Sequence, residues 1–192
     1  MINFTGMDKT TYDGQQLAVS DIRNWIKGKL EISPATWDRI DKNRKALENL
    51  LANSGERFYG INTGFGTLYS VSISKEDTLQ LQTNLLRSHA CGVGPAVPLP
   101  IVRLTLLLKI ISLAKASSGV RKQVIRLLLD FYNHGISPVV PSIGSLGASG
   151  DLAPLSHLCL PLIGEGEVVY KREQMPAAKA LAISQMTLSA GC

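Results

Sequence analysis

The stretch "LPIVRLTLLLKIISLA", residues 99–114, constrains this chain more than any other part of it. It is apolar nearly all round. A helix without a polar face is stable only when other elements surround it. Together with the two residues after it, the stretch predicts a central, buried helix over 99–116. It is also too short, and too interrupted by Pro100, Arg103 and Lys109, to span a bilayer.

The segments able to bury such a helix also read as helices. Ser33-Pro34 is a strong start, an N-cap residue followed by proline at the first helical position. Trp37, Ile40, Leu47 and Leu51 then recur near helical spacing, and Gly55 is the expected stop. Ser20 predicts a cap for a short helix over "DIRNWIKG". Ser74 with Asp77 resembles a capping box, opening a helix that runs through "LQLQTNLLRSH" and ends at "CGVGP". Residues 120–133 read as a further helix ended by Gly135, and residues 151–163 as another. "EGEVVYKRE" is a short strand with a turn. The expected class is therefore mainly α, with one short strand or hairpin and glycine-rich loops.

The charge pattern narrows the function. The net charge is +5, but Lys and Arg are scattered among acids, as in "DRIDKNRK", with no basic stripe and no interleaved aromatics. That argues against nucleic acid as a partner. Cys91, Cys159 and Cys192 are odd in number and match no zinc or redox spacing, so reduced thiols in a cytoplasmic protein are expected. "MINFTGMDKTTYDG" lacks a basic start followed by an apolar run, so no signal peptide is expected.

Two glycine-rich loops break the helical background. "YGINTGFG" spaces Gly60, Gly64 and Gly66 four and then two apart, which is not a dinucleotide fingerprint. "GSLGASGD" is followed by no Gly-Lys-Ser/Thr, and Ser149 has Asp151 two residues on where a nucleophile elbow has glycine. One reading of the second loop is a tight turn whose Ser149 or Asp151 caps the next helix. A second reading is chemical. Gly150 has no Cβ, so its amide nitrogen can approach the carbonyl carbon of Ala148. Attack with loss of water closes a five-membered ring. Elimination of the Ser149 hydroxyl then leaves an exocyclic methylidene, an electrophile that no ordinary side chain supplies. A third reading, phosphate binding by the loop amides, stays open beside these.

"YGINTGFGT", "RSHACGVG" and "GSLGASGDLAPLSH", in that order, resemble the histidine and aromatic amino acid ammonia-lyase family. The resemblance implies the N-terminal helical domain of the fumarase/aspartase-like superfamily, with the C-terminal helical bundle absent from residues 1–192. It implies that Ala148, Ser149 and Gly150 form 4-methylideneimidazol-5-one (MIO), with Asp151 assisting the cyclisation. It assigns Tyr59 as the catalytic base and His89 as the residue that helps select the substrate ring, with Ser88, Asn62 and Gly66 lining the pocket. A histidine at 89 suits a polar ring, which favours L-histidine, converted to urocanate, over tyrosine or phenylalanine. An aminomutase using the same group is an alternative, as is a non-catalytic assembly domain. The resemblance also implies a homotetramer whose sites draw on several chains, so this chain alone is expected to be inactive and its tripeptide unmodified. His134 and His157 read as structural.

Overall fold

The computed structural model describes residues 9–63, 75–146 and 150–184. The buried centre is a helical hairpin. Helix α4 (Leu99–Ala114) packs against α5 (Lys122–His134), and α2 (Pro34–Ser54) lies across both. From α4, Val102, Leu106, Leu107, Ile110 and Ile111 enter the core; from α5, Ile125, Leu127, Leu128, Phe131 and Tyr132. Each such side chain contributes about 1.5–3 kcal/mol when fully buried. The expectation for α4 is met on this face only. Ile101 and Leu108, on its other side, are 52% and 46% exposed, and Leu99, in the first turn, is 44% exposed.

Local signals explain the helix ends. Ser33 Oγ accepts the Thr36 N–H, Pro34 opens α2, and Gly55 closes it in the left-handed region. Gly135 closes α5 in the same way. Helix α1 (Val19–Trp25) departs from the reading of Ser20 as its cap. Ser20 lies inside the helix, Ala18 is at the cap position, and Asp21 Oδ2 accepts the Ala18 N–H at 2.8 Å. A carboxylate reaching back from the first turn replaces a hydroxyl reaching forward. Helix α3 spans Lys75–His89, and the Ser74–Asp77 box expected at its start lies outside the described residues.

The strands are more numerous than expected. β1 (Lys9–Tyr12) and β2 (Lys29–Ile32) pair in parallel through a crossover that contains α1. β3 (Val93–Ala96) pairs antiparallel with β5 (Pro141–Ile143). β4 (Ser137–Pro138), β6 (Glu167–Tyr170) and β7 (Glu173–Pro176) form an antiparallel sheet with β6 in the middle. Only the β6–β7 hairpin was expected. Strands of two to four residues are too short to show alternation, and distant partners, not local pattern, stabilise the rest. Helix α6 (Leu152–Cys159) continues into a 3-10 turn (Leu160–Ile163) and packs on α3. Helix α7 (Ala177–Ile183) covers the β6–β7 hairpin. Among the described residues no helix is long and apolar enough to cross a membrane.

Arg103, which interrupts the apolar run of α4, is 8% exposed and ties α4 to the segment after α1 and to α5. Its guanidinium donates to the carbonyls of Ile26 (3.0 Å), Gly28 (2.9 Å) and Tyr132 (2.8 Å) and stacks 3.8 Å from the Tyr132 ring. Ile26 and Gly28 follow the C-terminal end of α1 and Tyr132 lies in the last turn of α5, where helix dipoles favour a cation. Asn133 fastens β2 to α5: its amide oxygen accepts Leu30 N–H and its amide N–H donates to Leu30 O, both at 2.9 Å.

Candidate active site

The loop from β5 to α6 is pinned at its base. Ser145 Oγ donates to Asp151 Oδ1 at 2.7 Å, bringing together the residues on either side of 146–150. Asp151 occupies the cap position of α6, and its carbonyl accepts the Leu155 N–H. Its carboxylate caps nothing, contrary to the simpler expectation, because it is turned back to Ser145. Gly150 has φ +78°, and the space where a Cβ would stand is open. Glycine is needed there for its conformation rather than for room. Ala148 and Ser149 lie outside the described residues.

A second fixed point ties this loop to the end of α3. Beyond the Val93–Ile143 pair of the β3–β5 ladder, Gly92 and Gly144 approach so closely that a Cβ on Gly144 would sit 2.9 Å from the Gly92 Cα. Gly92 N–H donates to His157 Nε2, on α6, at 3.0 Å. Burial pushes the His157 pKa below the ordinary histidine value, consistent with a neutral acceptor ring. Three residues before Gly92, His89 Nδ1–H donates to Leu85 O at 2.8 Å. The proton of that bond sits on Nδ1, which leaves Nε2 as the ring's second nitrogen. Ser88 Oγ also donates to Leu85 O, at 3.0 Å. The last turn of α3 is anchored across the surface by Arg87, which grips both Glu165 oxygens. The hydrogen bond from Arg87 holds the Glu165 carboxyl below its usual range.

Tyr59 stands on a separate turn. Asn62 closes that turn locally: its Oδ1 accepts Phe58 N–H at 2.7 Å and its Nδ2 donates to Glu56 O at 2.9 Å. Asn62 therefore shapes the backbone beside Tyr59 with most of its own amide. Thr63 is buried and its Oγ1 accepts the Gly60 N–H. Gly66 lies outside the described residues.

The structure thus unites the His89 end of α3, Gly92, Gly144, Ser145 and Asp151. Of these, Ser145, Gly92 and Gly144 carried no assigned role in the sequence; His157, which binds Gly92, was expected to be structural. Their signal is weak because contacts across six, 52 or 65 positions follow neither helical nor strand periodicity. A groove of about 650 Å³ lined by residues 14–19, Ile22 and the C-terminal half of α4 shares no residue with this region.

The surroundings are open and apolar. Leu146 is 84% exposed, Tyr59 65%, Val93 63% and Ile143 60%.

Comparison with known proteins agrees with the motifs. The profile of the aromatic amino acid lyase family matches residues 17–190. A histidine ammonia-lyase from Geobacillus thermodenitrificans is 49% identical over 170 residues, covering 88% of this chain and 34% of that relative. Among solved structures, the ergothioneine-degrading enzyme ergothionase from Treponema denticola superposes with a TM-score of 0.88 at 30% identity, over 95% of this chain and 37% of that one. A tyrosine aminomutase from Streptomyces globisporus superposes at 0.83 with 32% identity, over 94% of this chain and 34% of that one. The chain spans about a third of the length of these relatives. On the profile match and the identity together, the chain belongs to the aromatic amino acid lyase family.

Proposed function

We propose that this chain carries the MIO-forming part of an ammonia-lyase that acts on an aromatic amino acid, L-histidine first, releasing ammonia and urocanate. The observation that carries the reading is the Ser145–Asp151 bridge, which closes the base of the loop holding Ala148-Ser149-Gly150. Gly150, at φ +78°, already has a backbone bend that favours glycine. The described residues therefore fit the group. Asp151, held by Ser145, is adjacent in the chain to the Gly150 amide whose proton must leave during cyclisation. Once formed, the group supplies an electrophile that makes the substrate amine a better leaving group.

The remaining roles belong to side chains. Tyr59 takes the β-proton. His89 offers Nε2 as an acceptor to a substrate ring N–H or hydroxyl, because its Nδ1–H is committed to Leu85 O. Support for histidine comes from the curated relatives at 47–49% identity over 88–89% of this chain, which are histidine ammonia-lyases. The exposed Tyr59, Val93, Ile143 and Leu146 are covered, in this reading, by the further chain length of the relatives and by other subunits of a homo-oligomer. The isolated 192-residue chain is then inactive, with its tripeptide unmodified.

The test is turnover by a protein extended to the relatives' full length, assayed with histidine, tyrosine and phenylalanine. The expected result is urocanate from histidine, with a loss of more than about a thousandfold in Ser149→Ala. Undiminished deamination by Ser149→Ala would refute the reading, and a β-amino acid product would assign a mutase.

A further inference from the structure

His157 contacts the site without belonging to any of the roles above. It lies on α6, six positions after Asp151, and its Nε2 receives the Gly92 N–H at 3.0 Å. Because the amide donates, Nε2 must hold a lone pair, and the ring proton sits on Nδ1. The fit around this bond is tight. A Cβ on Gly92 would stand 3.0 Å from Nε2 and 3.2 Å from the Pro141 Cβ. On its other side Gly92 meets Gly144. Three segments distant in sequence converge on this point: the turn after α3, the loop after β5, and α6. The β3–β5 ladder alone is a poor clamp for them. Its strands are three and four residues long, its register shifts between Val93 and Ala96, and its residues are largely exposed.

We propose that His157 is a positioning residue whose Nε2 seats Gly92 against Gly144 and so sets the His89 end of α3 in register with the loop that carries residues 148–150. The importance of that register rests on the function proposed above; the bond itself does not. A protonated or absent acceptor would leave the half-buried Gly92 amide without its partner beside a half-buried ring, which costs at least what the bond contributes when made. The ladder would then slide at its site end while the helical core stayed intact.

The experiment is amide exchange by NMR on the 192-residue chain, which needs neither ring formation nor turnover. In the wild type, a scalar coupling should link the Gly92 amide nitrogen to His157 Nε2. His157→Phe, which keeps the ring and removes the acceptor, should speed Gly92 exchange by about tenfold or more, with a smaller increase at Ser145 and Leu146 and none in α4 or α5. His157→Gln, whose amide oxygen reaches about as far as Nε2, should restore protection. Absence of the coupling, or equal Gly92 protection in wild type and His157→Phe, overturns the proposal. If His157→Phe does not fold, the coupling and the Gln variant decide. A failure here leaves the lyase reading standing, and an inactive full-length enzyme with Gly92 still protected leaves this proposal standing.

Discussion

At the scale of single residues, the same chemical type takes opposite roles according to what the backbone offers it. Arg103 looks in the sequence like a charge that spoils an apolar helix. In the fold its fork meets three carbonyls at 2.8–3.0 Å, so the charge is the element that satisfies them. Removing it strands buried acceptors. Arg103→Met is expected to destabilise the chain by about 3 kcal/mol or more in urea melts, and Arg103→Lys is expected to recover less than half of that, since an ammonium cannot address three divergent acceptors as a planar fork does. His157 supplies the pH dependence. Its native pKa is held down by burial, so the unfolded chain takes up a proton first as pH falls. Stability should be flat above the ordinary histidine pKa of about 6.5 and fall as pH drops from there through the lowered native value. In His157→Gln this part of the slope should vanish. A wild-type slope of opposite sign over that window would show that the ring binds its proton more tightly in the native state.

At the scale of elements, legibility follows locality. Helix α2 was readable end to end because its cap, its first-turn proline and its terminal glycine all lie within its own sequence. Helix α1 was misread at its start because the residue doing the capping is the acid inside the first turn, not the hydroxyl before it. The strands β1 to β5 were not readable, because each is two to four residues long and paired to a distant segment. The β6–β7 hairpin was expected from "EGEVVYKRE", yet its turn chemistry is unusual. Lys171 and Arg172 sit at φ +50° and +72°, the left-handed region that tight hairpins favour and that Asn-Gly fills at less cost. Replacing them with Asn-Gly should stabilise the chain by about 1 kcal/mol. Thermal melts would check this. No gain, or a loss, would mean that contacts of the two long side chains, such as Lys171 over the Tyr170 ring, outweigh the backbone strain.

At the scale of the whole molecule, the tripeptide proposed to form MIO and its flanking acid were visible in the sequence because the proposed ring closure needs those residue types in immediate succession. The framework that presents them was not. Ser145, Gly92 and Gly144 gain meaning only once α3, β3, β5 and α6 are packed together. The exposed apolar side chains around the loop fit a chain about a third as long as its relatives. The central claim is that residues 148–150 turn their own backbone into an electrophile, and intact mass tests it most directly. A protein extended to the relatives' full length should weigh less than its sequence by two waters, about 36 Da, and its Ser149→Ala variant should not lose the second water. A catalytically active preparation at the full unmodified mass would contradict the account.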